Sequence, residues 1–177
     1  WDRPGSYGCD VAAGDRRGSG GTRLHSGGGR PGLTTFAADT NVLVAAMMEW
    51  QQHHRVARAE VTRRITSGDQ LVIPAHCLVE SYATLTRFPA PHRMSPATAI
   101  GLLRRMYVGR ATIFAPAAAD YLPLLDRSAR ASVAGGAIYD AAIGAAAVAA
   151  GAELLLTFNV RHFERLGLGI EVREPRV

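Results

Sequence analysis

The chain has 177 residues, 47% of them hydrophobic and 20% charged, which is enough for one domain with a substantial core. Its net charge of +5 favours an anionic partner, and all 20 basic residues are arginine. The absence of lysine excludes a GxxxxGK[ST] phosphate loop and a Schiff-base lysine.

Residues 1–33 differ from the rest of the chain. They are rich in Gly, Arg, Ser and Asp, contain few apolar residues and show no periodicity, so burial cannot offset the entropy lost on ordering them. We therefore predict a disordered tail over 1–33 and a folded domain over 34–177. Because the first methionine is Met47, we expect a native start near Leu33 at a non-AUG codon, preceded by mistranslated upstream sequence or an expression remnant.

From residue 34 onward, strand-like and helix-like segments alternate. The predicted strands cover 35–39, 70–73, 111–115, 153–157 and 170–173. Two predicted helices are defined by their starts, one at 39–41 and one at 95–96. The other predicted helices cover 53–67, 75–88, 118–130, 137–150 and 161–166. Because apolar, non-alternating strands are separated by helices, we predict an α/β fold with three layers, α/β/α, around a mostly parallel sheet.

No apolar stretch reaches the roughly 20 residues that a bilayer demands, so we expect no membrane partner. The two cysteines, Cys9 and Cys77, have neither metal-ligand nor disulfide-framework spacing. A reducing environment suits them, and we therefore expect a cytoplasmic location.

Three acidic residues are predicted to lie at the carboxyl ends of strands, where parallel sheets bind ligands. Asp39 ends the first strand, Glu80 lies in the helix after the second strand, and Asp140 begins the helix before the fourth. Asn159 follows that fourth strand. Carboxylates gathered at one edge repel one another unless a cation neutralises them, and oxygen ligands suit Mg²⁺ or Mn²⁺. Such ions bind phosphate oxygens and activate water.

Each of these residues has a structural alternative when it is taken alone. Asp39 would cap a helix, and Asp140 would complement a helix dipole. Glu80 would lie on a solvated polar stripe that includes His76, four residues earlier. Asn159 would be an ordinary turn residue. The occurrence of all four at one predicted sheet edge favours a common site.

Four segments, in order, resemble the motifs of PIN domains. They are Phe36–Val44, Pro74–Pro89, Ile138–Ile143 and Leu155–Phe163. The resemblance extends from about residue 34 to residue 177 and is to the VapC-like toxins of bacterial toxin–antitoxin pairs in particular. It implies a PIN-like fold and an endonuclease that cuts RNA with Mg²⁺ or Mn²⁺. It also implies restraint by a small antitoxin and a homodimer.

The resemblance implies roles for the residues in these motifs. Asp39, Glu80 and Asp140 would hold the metal, partly through water, and Asn159 would orient a water or ligand by hydrogen bonding. Many members carry Asp at the position of Asn159. This departure implies a weaker hold on a second metal and leaves open whether one or two ions bind.

Further residues are predicted around the metal ligands. Thr40, Asn41 and Thr157 are expected to support the carboxylates by hydrogen bonds, with helix capping as the alternative for each. Arg87 and Arg161 are expected to meet RNA phosphates because a guanidinium fork matches phosphate oxygens, with solvated arginines as the alternative. The residues expected to be structural instead are His162 and Cys77.

Rival functions remain at this point. An aspartyl phosphatase of the haloacid dehalogenase kind requires D-x-D and a later lysine, whereas this chain has Asp39-Thr40-Asn41 and no lysine. A non-catalytic PIN-like module that binds RNA or protein is the stronger alternative. A PIN nuclease that acts in RNA processing is another.

Overall fold

The computed structural model describes residues 33–176, so the predicted tail and native start lie outside the described residues except at Leu33. The described chain alternates strands and helices, and each predicted element is present with ends displaced by at most one or two residues. In chain order the elements are β1 (Thr35–Ala38), α1 (Thr40–Met47), α2 (His54–Thr66), β2 (Gln70–Pro74), α3 (Ala75–Arg87), α4 (Pro96–Tyr107), β3 (Ala111–Phe114), α5 (Ala118–Arg130), α6 (Ala137–Ala149), β4 (Leu154–Leu156), α7 (Val160–Glu164) and β5 (Glu171–Arg173).

The five strands form one sheet in the order β3-β2-β1-β4-β5, and every neighbouring pair is parallel. The prediction of a mostly parallel sheet is confirmed. The chain moves from β1 to β2 and β3 on one side, then crosses to β4 and β5 on the other. The carboxyl ends of β1 and β4 therefore form the switch point at which such sheets bind ligands.

The strand order runs in one direction from β1 to β3 and in the other from β4 to β5, so right-handed crossovers, the rule for parallel strands, place helices on both faces of the sheet. On one face α1 packs against α2 and α3, and α3 packs against α4. On the other face α6 packs against α5 and α7. This is the predicted three-layer α/β/α arrangement. None of the helices in residues 33–176 combines the length and the apolarity needed to cross a bilayer.

The core lies between the sheet and its helices. Phe36 and Leu155 on the central strands are fully buried, whereas the edge strand β3 is only partly buried. Central strands covered on both faces explain the apolar, non-alternating sequence pattern. Cys77 on α3 is also fully buried, as expected for a core residue, and burial raises the pKa of its thiol to about 12.

A buried ionic cluster joins α2 to β5. Glu60, which is 1% exposed, accepts hydrogen bonds from Arg63 (2.7 Å), Arg64 (2.9 Å) and Arg173 (2.9 Å). Burial opposes ionisation of this carboxyl, but the hydrogen bonds from the three arginines outweigh it and hold the pKa of Glu60 below its usual value. The cluster therefore fixes the far edge of the sheet with charges that lie outside the predicted site.

Candidate active-site cleft

Asp39 lies at the carboxyl end of β1, where the chain leaves the sheet and enters α1. Its N–H donates to the carbonyl of Leu156 (2.9 Å), which extends the β1–β4 pairing by one bond. Its Oδ1 accepts a hydrogen bond from the backbone N–H of Thr40 (2.6 Å), so Asp39 caps α1. Capping uses Oδ1 and leaves the second carboxylate oxygen for other partners.

The second oxygen of Asp39 is held by side chains from two elements. Asn41 Nδ2 donates to Asp39 Oδ2 (2.7 Å), and the hydroxyl of Thr157 donates to the same atom (2.8 Å). Asn41 Oδ1 accepts from the N–H of Phe158 (3.1 Å), and Thr157 Oγ1 accepts from the N–H of Asn159 (3.0 Å). This network ties the start of α1 to the segment that follows β4.

Glu80 and Asp140 approach from α3 and α6. Glu80 Oε2 accepts a hydrogen bond from the hydroxyl of Thr40 (2.7 Å), and its Oε1 lies 3.4 Å from His76 Nε2. Asp140 Oδ2 lies 3.2 Å from His162 Nδ1. The side chains of Glu80 and Asp140 are 34% and 22% exposed, so both reach solvent, whereas Asp39 is only 4% exposed.

The three carboxylates share one electrostatic environment. Burial raises the pKa of Asp39 to about 6, although hydrogen bonds from Thr157 and Thr40 act to lower it. The negative charges of Asp140 and Glu80 raise it further. Within the described residues, no arginine forms an ion pair with any of the three carboxylates. The site therefore carries excess negative charge, which a cation would offset.

These residues line one cleft of about 500 Å³. Its walls include Asp39, Thr40, Asn41, Glu80, Asp140 and Asn159, together with Arg87, Gln51 and Phe88. Two predicted residues lie elsewhere. Thr157 is fully buried behind Asp39, and Arg161 lines a neighbouring groove of about 690 Å³ that shares Asn159 with the cleft.

Two histidines beside the carboxylates were not among the predicted site residues. His76 lies one helical turn before Glu80, a spacing that is also typical of a solvated polar stripe. Its Nε2 is buried and makes no hydrogen bond. The side chain of His162 is 59% exposed and its ring contacts Asp140, and the structural role expected for it stays a prediction. Since the contact joins two separate helices, no local pattern could have indicated it.

The donor atoms in the cleft fit a hard divalent cation. They are carboxylate, amide and hydroxyl oxygens, which Mg²⁺ and Mn²⁺ prefer. As the side chains stand, no three His, Cys, Asp or Glu residues within 33–176 form a complete metal-binding group. Mg²⁺ usually keeps several waters and binds one or two carboxylates directly, so an open arrangement with water-mediated contacts suits it.

Comparison with known proteins identifies relatives over most of the chain. The family model described as PIN domain matches residues 37–168, a range that includes all four predicted catalytic residues. The chain is similar to Ribonuclease VapC40 of Mycobacterium tuberculosis, with 38% identity over 139 residues that cover 77% of this chain and 98% of the relative. It is also 28% identical over 140 residues to Ribonuclease VapC27 of the same organism, covering 77% and 96%.

The fold is similar to that of a solved complex as well. The crystal structure of VapBC2 from Rickettsia felis bound to a DNA fragment from their promoter contains a chain that matches with a TM-score of 0.59. The match covers 81% of this chain and 100% of that chain at 16% identity. A likeness at this identity concerns the fold alone, and it agrees with the three-layer architecture.

Proposed function

The chain belongs to the PIN-domain family, and from that premise we propose that it is an endoribonuclease that depends on Mg²⁺ or Mn²⁺. Two relatives that are named ribonucleases match 77% of this chain, and each match covers nearly the whole length of the relative. The proposed reaction is hydrolysis of a phosphodiester bond in RNA.

One observation carries this proposal. Asp39, Glu80 and Asp140 come from three separate segments, yet they line one cleft in which the pKa of Asp39 is raised to about 6. A capping residue, a solvated glutamate and a helix-end acid would have no reason to meet. Three carboxylates that have no arginine partner among residues 33–176 suit a cation that in turn binds phosphate.

The proposed metal ligands are Asp39, Glu80 and Asp140, each oriented by a neighbour. Asn41 and Thr157 direct Oδ2 of Asp39 and favour its ionised form, while Thr40 positions Glu80. The chemistry that the ion supplies when bound is activation of water and stabilisation of negative charge on the phosphate.

Other residues of the cleft are proposed to position the RNA. Asn159 offers an amide at the cleft wall for a hydrogen bond to a water or a phosphate oxygen. Arg87 is exposed at the same wall, and Arg161 is exposed in the adjoining groove. A strand that lies across the cleft and the groove would meet both guanidinium groups.

We further propose that the protein is the toxin of a toxin–antitoxin pair, works in the cytoplasm as a homodimer and is restrained by a small antitoxin. This rests on the likeness to VapC40 and on the motifs shared with VapC-like toxins. Co-expression with the product of an adjacent short reading frame should give a stable complex that lacks nuclease activity.

The test of the proposed activity is cleavage of a long defined RNA by the purified protein. We expect new 5′ ends at discrete positions in Mg²⁺ or Mn²⁺, none after chelation, and none with Asp39→Asn. Cleavage that persists after thorough chelation would overturn the metal dependence. Binding of RNA without cleavage under every condition would instead support a non-catalytic PIN-like module.

A further inference from the structure

The connection between α1 and α2, residues 48–53, contains two aromatic side chains, Trp50 and His53, that stack on rings of other segments. Trp50 stacks on His92, with ring centroids 4.0 Å apart and planes at 20°, and meets Phe88 edge-on at 5.0 Å. His53 stacks on Phe158 with centroids 4.4 Å apart. These three ring contacts join the connection to two other segments of the cleft region, since Phe88 lines the cleft and Phe158 directly precedes Asn159, which also lines it.

Trp50 remains 43% exposed despite its two ring contacts. It lies beside the cleft, since the next residue in the chain, Gln51, and one of its two ring partners, Phe88, line it. A single exposed aromatic residue is common on protein surfaces. A ring that is held by two other rings at the edge of an active-site cleft is a preordered surface for a planar ligand.

Two arginines lie near this ring cluster, which also has the exposed Glu49 directly before Trp50. Arg87 directly precedes Phe88 and lines the cleft. Arg93 follows His92, is exposed, and is held by a hydrogen bond from its Nε to the carbonyl of Phe88 (2.9 Å). Proteins bind single-stranded nucleic acid through aromatic rings that stack on bases, placed beside cationic groups that hold the phosphates.

We propose that Trp50 and His92 form a stacking site for one unpaired base of the RNA substrate, a few nucleotides from the bond that is cut. This inference rests on the proposed ribonuclease function and adds that the protein recognises an unpaired base of its RNA substrate. Stacking needs a base displaced from a helix, so the site selects single-stranded or looped RNA over a duplex. Arg87 and Arg93 would hold the phosphates that flank the stacked base.

The first test is a coupling experiment on a single-stranded RNA of about 12 nucleotides that spans a mapped cut. Abasic nucleotides replace the bases near the cut, one at a time. We expect Trp50→Ala to lower kcat/KM roughly 5- to 150-fold, mainly through KM, and Trp50→Phe to retain most of the activity. At one position, removal of the base should lower kcat/KM of the parent by a similar factor. The same removal should not lower kcat/KM of Trp50→Ala any further.

A second test needs no change at Trp50. The chain has two tryptophans, Trp1 and Trp50, so Trp1→Phe leaves Trp50 as the sole tryptophan. The RNA should quench its fluorescence, and the same RNA with the coupled base removed should quench it much less. This measurement decides the matter even if Trp50→Ala fails to fold.

The matched control is Tyr121→Ala, which removes another exposed aromatic side chain (48% exposed) from α5, at a cavity separate from the cleft. It should cut every RNA as the parent does. If the parent cuts RNA but shows neither a coupled position nor quenching, the stacking site is wrong and the ribonuclease function is unaffected. A parent that cuts no RNA overturns both.

Discussion

Thr157 donates a 2.8 Å hydrogen bond to the carboxylate of Asp39 from a position 118 residues further along the chain. The two residues follow the adjacent parallel strands β4 and β1, whose pairing brings their carboxyl ends together. Thr157 is fully buried, so the bond is shielded from solvent and strengthens accordingly. The pairing of β1 with β4 therefore places the hydroxyl that favours the ionised form of Asp39.

Thr157→Val should shift the pH dependence of cleavage. The hydrogen bond lowers the pKa of Asp39, so its loss should raise that pKa and move the acidic limb of the pH–rate profile to higher pH. We expect a roughly tenfold loss of activity on that limb and a smaller loss at high pH. Thr157→Ser keeps the hydroxyl and should behave like the parent. An unchanged profile for Thr157→Val would show that this bond does not act on the carboxylate.

Protonation of Asp39 should add to the free energy of unfolding of the chelated protein as the pH falls from about 7.5 to about 5. The pKa of Asp39 is about 6 in the folded protein and 3.8 in its usual environment, so the folded state binds the proton more tightly. The stabilisation appears as the pH falls through 6 and is at most about 3 kcal/mol. Denaturant melts at several pH values measure it. Asp39→Asn should lack this contribution and keep that of other groups such as Glu60, and equal pH slopes for the two proteins would contradict the raised pKa of Asp39.

Glu60→Gln should destabilise the fold while sparing catalysis. It removes a buried charge that Arg63, Arg64 and Arg173 share, at a cost of about 3 kcal/mol. The matched control is Glu171→Gln, because Glu171 also pairs with Arg173 (3.0 Å) but is 61% exposed. Urea melts should show little change for this control. A stable Glu60→Gln protein, or a folded one that cannot cut RNA, would refute the separation of this cluster from the cleft.

Removal of residues 1–33 should leave Tm and RNA cleavage nearly unchanged. The reason lies in the sequence, since this segment has too few apolar residues to form a core. Thermal melts of the two lengths provide the comparison. A Tm lowered by more than about 5 °C, roughly 1 to 2 kcal/mol, would show that the tail packs on the domain.

The sequence predicts the elements well because its breaks are chemically distinct. Gly68 ends α2 with a φ of +96°, a conformation that residues with side chains rarely adopt. Asp39 and Ser95 cap helices through hydrogen bonds that their side chains accept. Strand ends are less predictable: Thr157 was expected within the fourth strand, but β4 ends at Leu156, and its side chain turns to Asp39 instead.

Contacts between side chains of distant segments follow less readily from sequence. The acids could be placed at one edge because parallel strands share that edge. The direction of a side chain on a short helix such as α7 has no such rule, and Arg161 faces the neighbouring groove while His162 meets Asp140. The pairing of Trp50 with His92 joins two loops, whose paths are set by the packed domain.

Asp140→Asn tests whether Asp39, Glu80 and Asp140 act as one metal site. With the neighbouring charge gone, repulsion on Asp39 falls, so the chelated variant should be as stable as the parent or more so. Its stabilisation by Mn²⁺, which grows as RT ln(1 + [L]/Kd), should shrink, and RNA cleavage should vanish.

The control for this measurement is Asp126→Asn, which neutralises an exposed carboxylate on α5, a helix that contributes nothing to the cleft lining. Thermal melts with and without Mn²⁺ and one cleavage assay are run on the parent and both variants. We expect Asp126→Asn to match the parent in every readout. If Asp140 were only a helix-end acid, Asp140→Asn would cost a few tenths to about 1 kcal/mol. An Asp140→Asn protein that is destabilised yet cuts RNA fully and keeps its Mn²⁺ response would contradict the account.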